Sequence, residues 1–447
     1  MIGAVLTGTE PPATASRRQR LARINPLPAG TAPIAAGLAV SGLTAYGFLA
    51  ITARALGPKA YAPVSVLWTL VFIAVPGLFL PLEQEVGRAV SARRVMGVGA
   101  RSVVLRAGAA GSVVAVLVAV GAAAGGSSLV NRLFDGEGSL LVGFVVAVLV
   151  YVLYYLTRGV LAGNGAFAAY GALLTAEGLV RVAAVVALAV AGIHVVGLYG
   201  LAVGLPVLAG VAAGVALRRE GVRPGPAARW SEISHAVGFL VAGSLLGQFL
   251  VNAGPLAVKL LAGPGEQALA GTFLNGVVIA RIPLFFFQAV QASLLPALAA
   301  QAAAGRLDEF RHGLARLMAA VAAVALVAVA GSSLLGPWVV SHFFGAGFRL
   351  SHLDMGLLAA ASGIYMVALG LVQGLIALGG HRLVPVGWLV GVLGFFAAVT
   401  ALGVAGHAGV ALRVELSLVA GSFVSLIAVA LMLETRLRAA RHTAQAG

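Results

Sequence analysis

Arg281 stands directly before "IPLFFFQAVQASLLP", one of the most apolar stretches of the chain. It lies about 14 residues from either end of a span expected over 268–297, hence near mid-depth at 1.5 Å per residue. A lipid-facing charge at that depth costs about 2.5–3.5 kcal/mol, so the guanidinium is expected to face a cavity or a partner. At 100° per residue Gln288 and Gln291 share an arc of about 80° with it, a narrow polar stripe that leaves Asn275 aside. A guanidinium grips phosphate through two parallel hydrogen bonds, so a pyrophosphate head group suits this place. The competing reading is an arginine that ties two helices together through a carboxylate or backbone carbonyls.

Other charged residues fall into recognisable patterns. Glu83 and Glu85 follow Pro76 and Pro81 in the second apolar run. Glu85 and Arg88 are three apart and pair on one helix face, which leaves Glu83 without a local partner. Glu83 is therefore a candidate for proton uptake or gating, against the alternative of an interhelical structural bond. Glu177 and Arg181, four apart with the acid first, form the favoured ion pair along a helix and read as structural. Arg54 and Lys259 each precede a Gly-Pro turn by a few residues, where a base can meet an emerging pyrophosphate or snorkel to the interface. Tyr151, Tyr155 and Arg158 offer faces for sugar stacking or form part of a membrane aromatic belt. Pro76 and Pro283 each remove a backbone hydrogen bond and are expected to bend their helices, giving hinges for a rocking motion.

The elements that position these residues are membrane helices. Of the 447 residues 60% are hydrophobic and 10% charged, against about a quarter charged in soluble domains. Apolar runs long enough to cross a hydrocarbon core of about 30 Å recur between Ala32 and Met432, about twelve in all. The short alternating segments of a β-barrel are not seen, so the fold class is all-α integral membrane. With the N-terminus inside, 21 of the 29 basic residues fall in loops on one side, which predicts a multi-pass protein of a bacterial plasma membrane with both termini cytoplasmic. The net charge of +15 is scattered between apolar spans, a distribution that argues against nucleic acid as a partner. There is no cysteine, no G-x-x-x-x-G-K-[ST] phosphate loop and no HExxH spacing among the histidines, so neither a cofactor nor a metal is expected.

The chain also repeats itself. "GPKAYAP" starts at Gly57 and "GPGEQAL" at Gly263, and 263 − 57 is 206; Pro76 and Pro283 are 207 apart. Tyr154 with Tyr365, Gly159 with Gly370 and Gly163 with Gly374 share a spacing of 211. Two six-helix lobes are expected, 31–217 and 233–435, related by a pseudo-twofold axis along the membrane normal, because an even number of spans per repeat starts both copies from the same side. A basic cytoplasmic tail (1–30), a cytoplasmic linker (218–232) and a cytoplasmic C-terminal tail (436–447) complete the organisation. In this register Glu83 corresponds to Val290, about 13 Å along the axis from Arg281, so the two are not expected to pair directly.

The stretches "ARALGPKAYAPVSVLWTL", "YYLTRGVLAGNGAFAAYG" and "PLEQEVGRAVSARR" resemble the multidrug/oligosaccharidyl-lipid/polysaccharide exporter superfamily, particularly the polysaccharide and lipid-linked oligosaccharide flippases of high-GC bacteria. The resemblance implies alternating access between two V-arranged lobes and movement of a polyprenyl-pyrophosphate-linked glycan precursor of a surface polysaccharide from the inner to the outer leaflet. It implies a lipid-linked glycan as substrate, the bilayer and glycan-assembly enzymes as partners, and no enzymatic activity. The acid that drug exporters of this superfamily often carry in the first helix is missing, since 31–53 contains no Asp or Glu. An antiporter of drugs or amphipathic cations is the first alternative, and a membrane-bound polysaccharide polymerase or ligase the second. The glycan and the coupling ion are not specified by the sequence.

Overall fold

The computed structural model describes residues 31–218, 222–227, 237–285, 287, 298, 301–302, 304–406 and 408–446. Among them are thirteen α-helices and no strand. The first lobe comprises α1 (Thr31–Val95), α2 (Arg101–Ala124), α3 (Gly126–Leu133), α4 (Gly138–Gly163), α5 (Phe167–Val190), α6 (Val196–Gly204) and α7 (Val207–Leu217). The second comprises α8 (Val237–Leu261), α9 (Leu269–Ala280), α10 (Leu307–Phe344), α11 (His352–Ala377), α12 (Val384–Ala405) and α13 (Val410–Ala446).

Local chemistry sets where the helices break. α1 holds two spans joined at Gly57, whose φ of 72° and ψ of 170° reverse the chain direction; only glycine enters that region cheaply, and Pro58 then opens the next helix with its fixed φ. α6 and α7 form one span interrupted at Leu205 and Pro206. α9 stops at Arg281 and the chain turns helical again over 282–285, with Pro283 inside the restart. Counting the two arms of α1 separately gives six spans in the first lobe; among the described residues the second lobe has five helices long and apolar enough to cross a membrane, with the shorter α9 after the first of them, consistent with a pseudo-twofold axis along the membrane normal. α10 and α13 run past the expected 313–340 and 410–433 because their polar ends, which include "RLDEFR" and "ETRLRAAR", continue as helix and pair with one another: Arg441 Nη2 reaches Asp308 Oδ1 at 2.5 Å. The short α3 was not foreseen from the apolar pattern.

The bundle has two ends: the linker end, where the described linker residues 222–227 lie, and the GP-turn end, where Gly57 and Gly263 lie. Within the linker the Pro226 carbonyl accepts from Arg93 (3.1 Å) and Ser102 (2.6 Å), docking it on the turn after α1. Lipid stands in for solvent around the rest, so Val113, Leu117 and Val120 of α2 and Leu326, Val327 and Leu334 of α10 are exposed without penalty. Helix contacts inside the lobes use small residues: a Cβ on Gly163 would lie 2.6 Å from the Val90 Cβ and 2.7 Å from the Gly87 carbonyl oxygen, which is why α4 can lie so close to α1.

α1 is the seam element. It packs on α4 and α5 of its own lobe and on α8 and α9 of the other. Tyr61 Oη donates to Asn275 Oδ1 (2.8 Å), Tyr46 Oη to the Val278 carbonyl (2.9 Å) and Ser244 Oγ to the Pro76 carbonyl (3.2 Å). At the GP-turn end Phe348 meets Tyr61 edge-on at 5.5 Å, and Gly347 packs against the Pro58 ring. The seam is shut along these contacts.

Candidate functional site

Arg281 occupies the break after α9. Its Nη1 donates to Asn252 Oδ1 of α8 at 2.8 Å, while its Nε is buried and has no acceptor. Among the described residues no carboxylate pairs with it. The Asn252 amide nitrogen in turn binds Gln248, through the carbonyl at 2.9 Å and the side chain at 3.1 Å, so α8 fixes the rotamer that Arg281 leans on. Around the guanidinium lie Tyr365, Ser362 and Ser422, and Tyr365 is held by stacking on Trp388 at 4.8 Å. The space beside them measures about 10 Å³, about what a single water needs. Nothing larger fits while the seam is closed.

The cover of this site comes from the first lobe. Tyr46 bonds the Val278 carbonyl and touches Phe285 with ring centroids 6.0 Å apart. Val278 and Phe285 flank Arg281 in the chain, so Tyr46 packs across the break that carries the guanidinium. Separation of the lobes at Tyr46 is what would expose the guanidinium. Gln288 and Gln291, expected on the same stripe, lie outside the described residues. Pro283 lines a second space of about 10 Å³ with Leu284, Ala359 and Met366.

The first lobe buries its charges in pairs of opposite sign. Arg158 Nη2 lies 3.1 Å from Glu83 Oε2, Tyr170 Oη donates to Glu83 Oε1 at 2.6 Å, and the Arg158 guanidinium also donates to Tyr170 Oη. That guanidinium sits 4.8 Å from the centre of the Tyr155 ring and 5.3 Å from that of Tyr154, so these aromatics serve as a cation–π bed rather than a belt facing lipid headgroups. Glu83 therefore has partners, on α4 and α5, which a search along its own helix could not reveal. Glu177 and Arg181 pair as expected; Tyr154 Oη approaches Glu177 Oε2 at 3.3 Å and Arg181 donates to Tyr151 Oη at 3.1 Å. Glu85 and Arg88 also pair, at the linker end.

The two basic residues before the Gly-Pro turns act across the seam. Arg54 Nε donates to the Phe343 carbonyl at 2.8 Å, and its Nη2 contacts the His342 carbonyl, capping the negative end of α10. Lys259 Nζ pairs with Asp135 Oδ1 at 2.5 Å, with its own side chain only 4% exposed. In this closed arrangement both are latches between lobes, Lys259 buried and Arg54 exposed. Sequence reasoning missed Asn252, Tyr46, Tyr170 and Asp135 as partners, and overlooked Glu415, a fully buried acid on α13. The repeat offered one usable signal: Tyr154 and Tyr365, 211 apart, sit beside the buried charges of their respective lobes.

No protein-family model matches this chain. The uncharacterized protein Rv3630 of Mycobacterium tuberculosis is 28% identical over 379 residues, covering 80% of this chain and 82% of its own length. Mb3654 of Mycobacterium bovis, also uncharacterized, matches to the same extent. Solved transporters share the architecture. The inward-facing conformation of a multidrug resistance MATE family transporter of the MOP superfamily aligns over 90% of this chain and 96% of its own with a TM-score of 0.70 at 14% identity. An outward-facing conformation of such a transporter gives 0.67 at 16% identity, over 92% and 95% of the two chains. A MOP superfamily transporter from Pyrococcus furiosus, described by the reverse polarity of its binding pocket, gives 0.64 at 15% identity over 92% and 94%. The fold of this chain is the two-lobed MATE fold, and these solved neighbours are transporters.

Proposed function

We propose that this protein is an exporter of a polyprenyl-pyrophosphate-linked glycan, moving it from the inner to the outer leaflet by alternating access, with Arg281 gripping the phosphates. The observation that carries the reading is the unbalanced cation: Arg281 has one amide acceptor, a buried Nε without any, and no acid partner among the described residues. A buried charge left in that state is expensive; an anionic ligand relieves it through paired, charge-assisted hydrogen bonds. Export of amphipathic cations would call for a carboxylate at the binding place, yet none lines the space beside Arg281, and Glu83 and Glu177 are each committed to an arginine. The Pyrococcus transporter is a precedent for inverted polarity in this fold, for which a different function was suggested.

In the proposed cycle the linker end faces the cytoplasm, as the excess of basic residues on that side favours. The head group enters from that side once the lobes part at Tyr46, and binds Arg281 with Tyr365 and the serines as further donors. Rocking then breaks the latches at the GP-turn end, and Arg54 and Lys259, freed from their partners, receive the phosphates at the outer leaflet.

The test is binding of a short-chain polyprenyl-diphosphate disaccharide to purified protein, beside tetraphenylphosphonium, for wild type, Arg281→Lys and Arg281→Ala. Hydrogen bonds to charged groups contribute about 1.5–3 kcal/mol each, so Arg281→Ala, which removes both arms of the fork, is expected to weaken the anionic lipid roughly 100-fold or more while melting like wild type. Lys restores charge but not the bidentate fork and should fall between. Tetraphenylphosphonium binding without lipid binding, or lipid binding indifferent to Arg281, overturns the reading in favour of a cation antiporter or a structural arginine.

A further inference from the structure

Among the described residues six lysines and arginines fall at the GP-turn end: Arg54, Lys59, Arg132, Lys259, Arg349 and Arg413. Lys259 is engaged by Asp135, and Arg413 Nε donates to the Val399 carbonyl at 2.6 Å. Arg54, Lys59 and Arg349 are exposed and stand on two segments that meet across the seam. A glycine makes the meeting close: a Cβ on Gly347 would lie 2.8 Å from the Pro58 Cγ, and the next residue, Phe348, turns edge-on to Tyr61 at 5.5 Å. Lys59 follows Pro58 and Arg349 follows Phe348, so each base is the chain neighbour of a residue in this contact. Arg54 joins from the end of the first arm of α1, with its Cγ 3.9 Å from where a Cβ on Gly345 would be.

These cations have donors to offer. A guanidinium carries five N–H groups and an ammonium three. Arg54 uses Nε and Nη2 on the last carbonyls of α10, and Arg349 Nε makes a 3.4 Å contact with the Ala346 carbonyl of its own loop. Lys59 forms no ion pair among the described residues. Neither 54–59 nor 342–350 contains an acid. Carboxylates elsewhere at this end answer other donors: Asp135 takes Lys259, Glu266 the Gly263 N–H at 2.9 Å and Asp354 the Ser351 N–H at 2.7 Å. Closing the seam thus gathers three like charges, which calls for an anion among them. Their level in the bilayer is marked by the end of α10, where Trp338 and Phe343 are each 58% exposed, as aromatic side chains are where hydrocarbon meets head groups. Leu334 and Leu335, about a turn before Trp338, are exposed as well and offer a surface to acyl chains.

We propose that Arg54, Lys59 and Arg349 bind the phosphate of an anionic phospholipid in the leaflet at the GP-turn end, and that the bound head group holds the two lobes together there. A lipid rather than a soluble phosphate is the occupant because the three bases stand at the rim of an exposed apolar and aromatic surface. On the topology proposed above this is the outer leaflet. Arg54 and Lys59 belong to the first lobe and Arg349 to the second, so parting of the lobes takes the site apart. A ligand that binds only the closed arrangement stabilises it. The anionic lipid content of that leaflet therefore sets how readily this end of the seam opens. The occupant is a resident of the bilayer and not the cargo, and nothing in the site depends on what Arg281 binds.

The test uses the full chain with phosphatidylglycerol and phosphatidylcholine in competition, the tightest-bound lipid being read by native mass spectrometry. A base at the membrane surface favours an anionic lipid about fivefold, so three bases should select phosphatidylglycerol roughly 100-fold. Lys59→Gln with Arg349→Gln should lower that preference roughly 30-fold while melting like wild type; Arg54 is left in place because it also caps α10. Arg311→Gln with Arg316→Gln, two exposed bases at the linker end, removes the same charge elsewhere and should keep the preference. The sequence has no cysteine, so spin labels at the exposed positions Arg132→Cys and Gln267→Cys report the separation of the lobes in nanodiscs. Adding phosphatidylglycerol to phosphatidylcholine should narrow the distances toward the short end in the otherwise wild-type chain and leave Lys59→Gln with Arg349→Gln unmoved. A preference that survives this pair of substitutions, an equal loss in the linker-end variant, or a distance indifferent to phosphatidylglycerol would each overturn the proposal. So would inorganic phosphate closing the distance equally well in phosphatidylcholine alone, which would make this a site for a soluble anion.

Discussion

Replacing Arg158 by methionine tests the closed charge set of the first lobe. The substitution keeps most of the apolar stem and deletes the cation, leaving Glu83, 8% exposed, with the single hydrogen bond from Tyr170. Breaking one side of a buried pair costs about 3–5 kcal/mol because the remaining charge is stranded. For a cooperative unit of lobe size each kcal/mol moves the melting temperature by about 2–4 °C, so the single variant should melt roughly 6–20 °C lower. The double variant Arg158→Met with Glu83→Gln removes both charges and keeps an acceptor for Tyr170, and should recover most of that loss, since a buried pair contributes little beyond its own repair. Thermal melts followed by size exclusion in detergent measure both. A single variant within about 3 °C of wild type, or a double variant as unstable as the single, would refute the view that Glu83 is buried as a charge neutralised by Arg158.

Three further outcomes follow from the packing. Tyr61→Phe leaves Asn275, whose amide nitrogen already lacks a partner, with its oxygen unpaired as well; a loss of about 1–3 kcal/mol is expected in the same melts. Gly163→Ala forces a Cβ against Val90 and the Gly87 carbonyl and should cost about 1–3 kcal/mol by overpacking, whereas Gly42→Ala, with nothing within 4 Å, should be neutral or slightly stabilising and serves as the control. Lys259→Met frees Asp135 across the seam; the distance between spin labels at the exposed positions Arg132→Cys and Ala346→Cys should broaden toward longer values, and an unchanged distribution would show that this latch bears no load.

The span count and the twofold repeat were legible because bilayer thickness imposes a minimum apolar length that any reader of the chain can measure. Glu177 with Arg181 and Glu85 with Arg88 were legible for a similar reason: both partners sit on one helix, where spacing fixes geometry. Glu83 and Arg158 belong to α1 and α4, and no local rule connects residues 75 positions apart. Arg54 and Lys259 could be placed at a helix end but not against Phe343 and Asp135, since those contacts exist only once two lobes are docked. Glu415 carries no local signal, since Arg413, two residues before it, is turned by the helix to a different face.

The uncompensated charge on Arg281 has an electrical consequence. Within the first lobe Glu83 and Arg158, and Glu177 and Arg181, cancel one another, while the second lobe carries a fixed positive charge near mid-depth. Any rocking that shifts this guanidinium through part of the membrane field does work against the voltage, about 2.3 kcal/mol for a full charge per 100 mV. On the proposed function a bound diphosphate would reverse the sign of the moving complex. Membrane potential would then drive the empty and the loaded carrier in opposite directions, and current recorded across a planar bilayer would report each half of the cycle separately.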